Sequence, residues 1–217
     1  MSDFATRRTM MVDTQVRPSD VTKFPIIDAM LSVPREAFVP DEKRDVAYVG
    51  ENVDLGNGRV ELEPRSLAKL LDALDIQNDE LVMDLGCGLG YCAAVLAKLG
   101  DFVVAVEEDE AMAGEAEAAL ASVGADNVAV MTGALVEGNA KNGPYDVILV
   151  GGSVEHMPDT ILEQVKEGGR IGCIFADGML GTARIGYKID GEIVWRHAFN
   201  AGAPVLPGFE ARRAFVL

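Results

Sequence analysis

The run Asp84-Leu85-Gly86-Cys87-Gly88-Leu89-Gly90 sets an acid two residues ahead of three glycines at alternate positions. The acid ends the apolar stretch LVMDL, and an Ala/Leu-rich segment of helical period, AAVLAKL, follows. This pattern predicts strand, tight turn and helix, a geometry in which a ligand can approach the backbone closely. A second acid, Glu107, ends the apolar run FVVAVE. It stands about twenty residues further on, the place in an open α/β sheet where a carboxylate accepts the two hydroxyls of a ribose.

The ligand then contains a ribose, and its remaining chemistry follows from the other residues. A dinucleotide site requires G-x-G-x-x-G, and Tyr91 breaks that spacing after Gly90. Asp84 would also repel a pyrophosphate. A cationic ribose ligand suits the acids better, and S-adenosylmethionine carries an ammonium and a sulfonium with no pyrophosphate. Acid, glycine turn and strand-end acid together read as a class I methyltransferase site. Its expected cofactor shell is Asp84, Gly86, Cys87, Gly88, Gly90, Glu107, Glu108, Gly133, Ala134 and Gly151. Many such enzymes place an acid after the third strand to hold the adenine amine. Here that position, in MTGALVEG, is Ala134, so backbone groups and apolar contacts are expected to hold the base.

The elements around these residues alternate. Strands are predicted at 81–85, 102–107, 127–133, 145–152 and 170–176, and helices at 66–75, 110–124 and 158–166. Buried strands separated by helices predict an α/β fold: a doubly wound, mostly parallel, Rossmann-like sheet. Ahead of it, Ile26, Ile27, Met30 and Leu31 share one face of a helix over 21–32, capped at Ser19 or Asp20, within an N-terminal helical arm. After it, ARIGYKIDGEIVWRHAF turns at Asp190-Gly191 between two alternating runs and predicts a C-terminal antiparallel hairpin. The expectation is one domain over 1–217. Residues 1–65 form the arm and a substrate-side segment, 66–176 the cofactor-binding core, and 177–217 the hairpin and tail.

The 217 residues carry a net charge of -16. That excludes nucleic acid as a partner, since phosphate binding needs a basic patch, and it disfavours an acidic membrane surface. No apolar run reaches membrane-spanning length, and MSDFATRRTMMVD lacks the apolar stretch of a secretory signal. The three cysteines, Cys87, Cys92 and Cys173, lie in core-like segments, which suits reduced thiols and a cytoplasmic location. No Cys/His cluster has metal-ligand spacing, so no metal is expected. The oligomeric state is not legible.

In order of motifs the chain resembles the protein-L-isoaspartate O-methyltransferase family. The resemblance runs through VPREAFVP, AYVGENVDLGNGR, MDLGCGLGYCAAVLAKL, NVAVMTG, GPYDVILVGG and LEQVKEGGRIG, covering most of residues 20–175, and more loosely through AGAPVLPGF. It implies methyl transfer from S-adenosylmethionine to the carboxylate of an isoaspartyl residue in a protein or peptide, the first step of protein repair. An ionised carboxylate is already nucleophilic at neutral pH, so alignment and desolvation matter more than a catalytic base.

One segment departs from the family. Where it carries a T-I-S-Q-P-like stretch after a G-x-G-Q turn, this chain reads GNGRVELEPRS. The resemblance puts Leu62 at the serine that lies beside the transferred methyl, and Val60 at the threonine. In extended conformation Val60 and Leu62 share one face, and Arg59, Glu61 and Glu63 the other. The substrate side is therefore expected to comprise Arg59, Val60, Leu62, Pro64 and Arg65. The two arginines are either a clamp for an acceptor carboxylate or surface partners of Glu61 and Glu63. Ser153 and His156, in GGSVEHMP beyond the fourth strand, are candidates to orient an acceptor, His156 also as a base; alternatively His156 helps to start the helix after Pro158. Three readings stay open: isoaspartyl repair, the same cofactor with a small or apolar acceptor, and a cofactor-binding protein that has lost transfer.

Overall fold

The computed structural model describes residues 3–178 and 180–211. Residues 212–217 of the expected tail lie outside the described residues. A seven-stranded sheet forms the centre, with β3 (Leu81–Leu85) flanked by β4 (Phe102–Glu107) and β5 (Val128–Thr132) on one side and by β6 (Tyr145–Val154) and β7 (Val165–Asp177) on the other. Strands β3 to β7 are parallel; β8 (Leu180–Ile189) and β9 (Glu192–Asn200) add antiparallel to β7 and to each other. The chain runs outward from β3 and returns to pair β6 on β3's other edge. That reversal creates a crevice at the C-terminal ends of β3 and β6, the place where open α/β sheets bind ligands.

Period-2 alternation divides the strands between two apolar layers. Val82, Val103, Ala105, Val147 and Leu149 face the layer with α3 (Pro64–Leu74), α4 (Tyr91–Leu96), α5 (Glu110–Ser122) and the N-terminal arm. Met83, Leu85, Val104, Val106, Ile148 and Val150 face the other, with α6 (Asp159–Leu162) and the C-terminal segment. In α3, Leu67, Leu70, Leu71 and Leu74 make a helical stripe, and Pro64 occupies the first turn, where its missing N–H costs nothing. The arm consists of α1 (Phe4–Met11), a π-helical turn, a 3₁₀ turn and α2 (Phe24–Ser32).

Several boundaries differ from the sequence reading. The second arm helix begins at Phe24, and its cap is Lys23, with no side-chain bond, instead of Ser19 or Asp20. Helix α6 is a single turn instead of spanning 158–166, because β7 already begins at Val165, which pairs with Tyr145. The glycine-punctuated stretch ahead of α3 is a separate two-stranded sheet, β1 (Val53–Gly56) with β2 (Arg59–Glu61). Its turn residues Asn57 and Gly58 have φ of 52° and 73°, the left-handed pair that a tight hairpin requires.

Candidate active site

Glu107 is the centre of the site. It ends β4, is fully buried, and its carboxylate gathers four donors. Oε2 accepts the Gly88 N–H at 2.8 Å and Arg59 Nη2 at 2.9 Å; Oε1 accepts the N–H groups of Glu108 at 3.0 Å and Asp109 at 3.3 Å. The glycine turn is equally tied: Gly86 and Cys87 donate to the Val106 carbonyl and Gly90 to that of Cys87. Gly86, Gly88 and Gly90 have φ of 81°, 56° and 94°, a sequence of left-handed conformations that side-chain-bearing residues adopt only with strain. Across the crevice a Cβ at Gly151 would stand 2.5 Å from the Gly86 carbonyl oxygen, so only glycine lets β6 pass here.

Asp84, in the central strand, is fully buried, and neither carboxylate oxygen has a hydrogen-bond partner among the described residues. Burial above all, and then the neighbouring carboxylate of Glu61, push it up to about 7, against the Cys92 thiol and the Arg59 guanidinium. An orphaned buried acid beside a glycine turn is what a cationic ligand would complete. Gly133 is half-buried and its N–H meets the Glu107 carbonyl at 3.0 Å, whereas Glu108 and Ala134 are exposed at the rim. The donor set therefore fits a ribose-containing cation. The space over the turn is taken by the protein's own side chains. A Cβ on Gly86 would lie 2.7 Å from Arg59 Nη2, and one on Gly88 would lie 2.8 Å from a Leu55 methyl. Leu206, from the C-terminal segment, closes over Gly86 and Gly152.

The substrate-side residues are arranged otherwise than the alternation predicts. The charged face of β2 points inward. Arg59 and Glu61 are 3% and 4% exposed, while Val60, on the apolar face, is half-buried. The reason is that partners for both charges are waiting inside: Glu107 for Arg59, and Arg35 for Glu61 at 2.9 Å. Leu62 lies past the strand end and is buried in the core, and Pro64 is buried in the first turn of α3. Arg65 points the other way, 3.8 Å from Glu63, on the wall of a separate groove of about 440 Å³ shared with Gln15, Ser19 and Lys69. Arg59 and Arg65 therefore do not converge into one clamp, and Arg59 is not a surface partner of Glu61 or Glu63.

Ser153 is a structural tie. Its hydroxyl donates to the Ala203 carbonyl at 2.7 Å, and its backbone brackets Pro204 and Leu206, holding the C-terminal segment against the end of β6. The His156 side chain is exposed; its backbone N–H donates to Phe209, and the residue before α6 that caps it is Pro158. The Ser153 hydroxyl is thus committed to the C-terminal segment, while the His156 side chain is open to solvent.

Arg35 is the residue that sequence reasoning missed. It is fully buried in a 3₁₀ turn within VPREAFVP. Nε donates to the Ala47 carbonyl at 2.7 Å, Nη1 to Glu61 at 2.9 Å and Nη2 to the Leu62 carbonyl at 2.7 Å, while its guanidinium lies 4.8 Å from the centre of the Tyr91 ring. The single arginine of a short, proline-bounded connector was the available signal. Glu61, burial outweighing Arg35, is itself pushed up to about 7. The thiols of Cys87 and Cys92, both free, are pushed well up by burial.

Strand order, glycine turn and strand-end carboxylate define a class I methyltransferase domain. The protein-L-isoaspartate(D-aspartate) O-methyltransferase family model matches residues 7–179. A protein-L-isoaspartate O-methyltransferase 1 of Rhodopseudomonas palustris is 37% identical over 170 residues, 78% of this chain and 69% of that one. A Syntrophus aciditrophicus protein-L-isoaspartate O-methyltransferase is 36% identical over 79% of this chain and 78% of its own. Among solved structures, a protein-L-isoaspartate O-methyltransferase superposes with a TM-score of 0.80 at 25% identity, over 93% of this chain and 66% of that one. A Plasmodium falciparum structure, described as a β-aspartate methyltransferase in complex with S-adenosyl-L-homocysteine, superposes at 0.78 with 16% identity, over 95% and 99%. The chain belongs to the protein-L-isoaspartate(D-aspartate) O-methyltransferase family.

Proposed function

We propose that this protein binds S-adenosylmethionine at the crevice between β3 and β6 and transfers its methyl group to a carboxylate of a protein or peptide carrying isoaspartyl residues. The observation that carries the reading is Glu107, held by three backbone N–H groups at the lip of the left-handed glycine turn. When bound, the cofactor supplies a methyl group on a sulfonium. Glu107 would accept the ribose hydroxyls, Asp84 would face the cationic part, and Gly86, Cys87, Gly88, Gly90 and Gly151 would let the ligand lie on the backbone. Glu108, Gly133 and Ala134 would border the base. The chain's own task is to hold and dehydrate the acceptor, since a carboxylate needs no proton removed before it attacks.

A second reading, the same cofactor with another acceptor, is favoured by Leu62, a buried side chain with no hydrogen-bonding group where the resemblance puts a serine. A methylation assay comparing an isoaspartyl peptide with its aspartyl twin separates the two. Transfer to the isoaspartyl peptide alone supports repair. No transfer to it, with turnover on small carboxylates, supports the second reading.

A further inference from the structure

We propose that Arg59 is a resident occupant of the cofactor cleft, and that S-adenosylmethionine binds only by displacing it from Glu107. This rests on reading the crevice as the cofactor site. Four observations carry it. The guanidinium lies against Gly86, closer than a Cβ there would permit, on the surface that any ligand of the turn must cover. It holds Glu107 Oε2, the atom that also accepts Gly88 and faces the turn. The rest of the hairpin closes with it: Leu55 sits over Gly88, and Asn57 Nδ2 donates to Asp109 Oδ2 at 2.8 Å.

The fourth observation is that the seat is poorly made. Arg59 Nε and Nη1 are buried with no partner among the described residues. A buried cation with donors unpaired is held at a cost, unlike one whose hydrogen bonds are complete. Arg35, on the same side of the hairpin, shows what a complete set looks like, with all three nitrogens satisfied. A ligand that takes over Glu107 lets Arg59 recover its hydration, so the exchange is easy in a way that moving Arg35 would not be. Arg59 is thus an affinity-setting residue of this cleft.

The test is calorimetric titration of S-adenosylhomocysteine into the full-length wild type, Arg59→Gln and Arg59→Ala, each checked for native circular dichroism. Affinity about tenfold or more higher in Arg59→Gln supports the proposal, because one charge-assisted competitor has been removed. Equal or weaker affinity in a folded Arg59→Gln overturns it and leaves the cofactor reading standing. Absence of binding to all three proteins overturns both. Hydrogen exchange on the wild type keeps the question open to refutation should the variants not fold. S-adenosylhomocysteine should lower the protection of residues 53–61, and unchanged or increased protection there overturns the proposal.

Discussion

Two buried arginine–carboxylate pairs meet at one short strand. Arg59 and Glu61 project from the same face of β2, and each finds an opposite charge inside the protein at 2.9 Å. Their surroundings differ. Arg35 spends every guanidinium nitrogen on an acceptor and stacks on Tyr91, tying the arm, the hairpin and α4 together. Arg59 uses one nitrogen and leaves two unpaired. A charge pair surrounded by satisfied partners is a fixed post, whereas one with missing partners is a contact that another ligand can replace. The distinction lies in the number of hydrogen bonds, since the distances are equal.

The largest expected effect follows from breaking the post. Arg35→Ala leaves Glu61 buried without its cation and should cost about 3–5 kcal/mol in urea unfolding. A loss near zero would show that Glu61 is readily protonated or hydrated and that the pair is not structural. Leu62→Ser comes next. It keeps the carbonyl that Arg35 uses but removes buried apolar volume, and should cost about 2–4 kcal/mol. If Leu62 does stand beside the acceptor, this variant should also raise isoaspartyl transfer by about one order of magnitude, the worth of one hydrogen bond to a charged group. Unchanged transfer in the folded variant would remove Leu62 from the acceptor side.

Arg59→Gln should cost only about 1 kcal/mol, because Glu107 keeps its three backbone donors and two unpaired buried groups disappear. A loss as large as that of Arg35→Ala would erase the contrast between the pairs. A further effect concerns pH. Asp84 lies at about 7 in the fold, above its ordinary 3.8, so the folded protein binds the proton more tightly than the unfolded chain. Its contribution to stability is full below the ordinary value and is lost as pH rises through about 7. Asp84→Asn should flatten the corresponding slope in thermal unfolding between those limits; an unchanged slope would assign it to other groups.

Much of the fold was legible from periodicity. Strands β3 to β6 and the helices α3 and α5 read directly, because apolar runs of the right length between turn residues have few other uses. The C-terminal hairpin was legible from Asp190-Gly191, a pair that supplies left-handed backbone at both positions. Glu107 and the glycine turn were legible because their spacing is set locally by one strand, one turn and the next strand. The orientation of β2 was not. Alternation puts apolar side chains inward by default, and here the default is reversed by Arg35 and Glu107, which lie 26 and 48 residues away from their partners. No local pattern announces that a charge has a buried counterpart so far along the chain. The same holds for Ser153, whose role depends on a carbonyl 50 residues later. Helix α6 was overread because the sequence around Leu162 is helical in period, while the pairing of Val165 with Tyr145 decides where the chain becomes extended.

Whether Glu107 is the ribose-binding acid, and whether Arg59 holds its place in the free protein, is decided by a crystal structure of the wild type with S-adenosylhomocysteine. The expected result is the ribose hydroxyls on the Glu107 carboxylate, with the Arg59 guanidinium withdrawn from Gly86. A ligand bound elsewhere, or bound while Arg59 still pairs with Glu107, would contradict it.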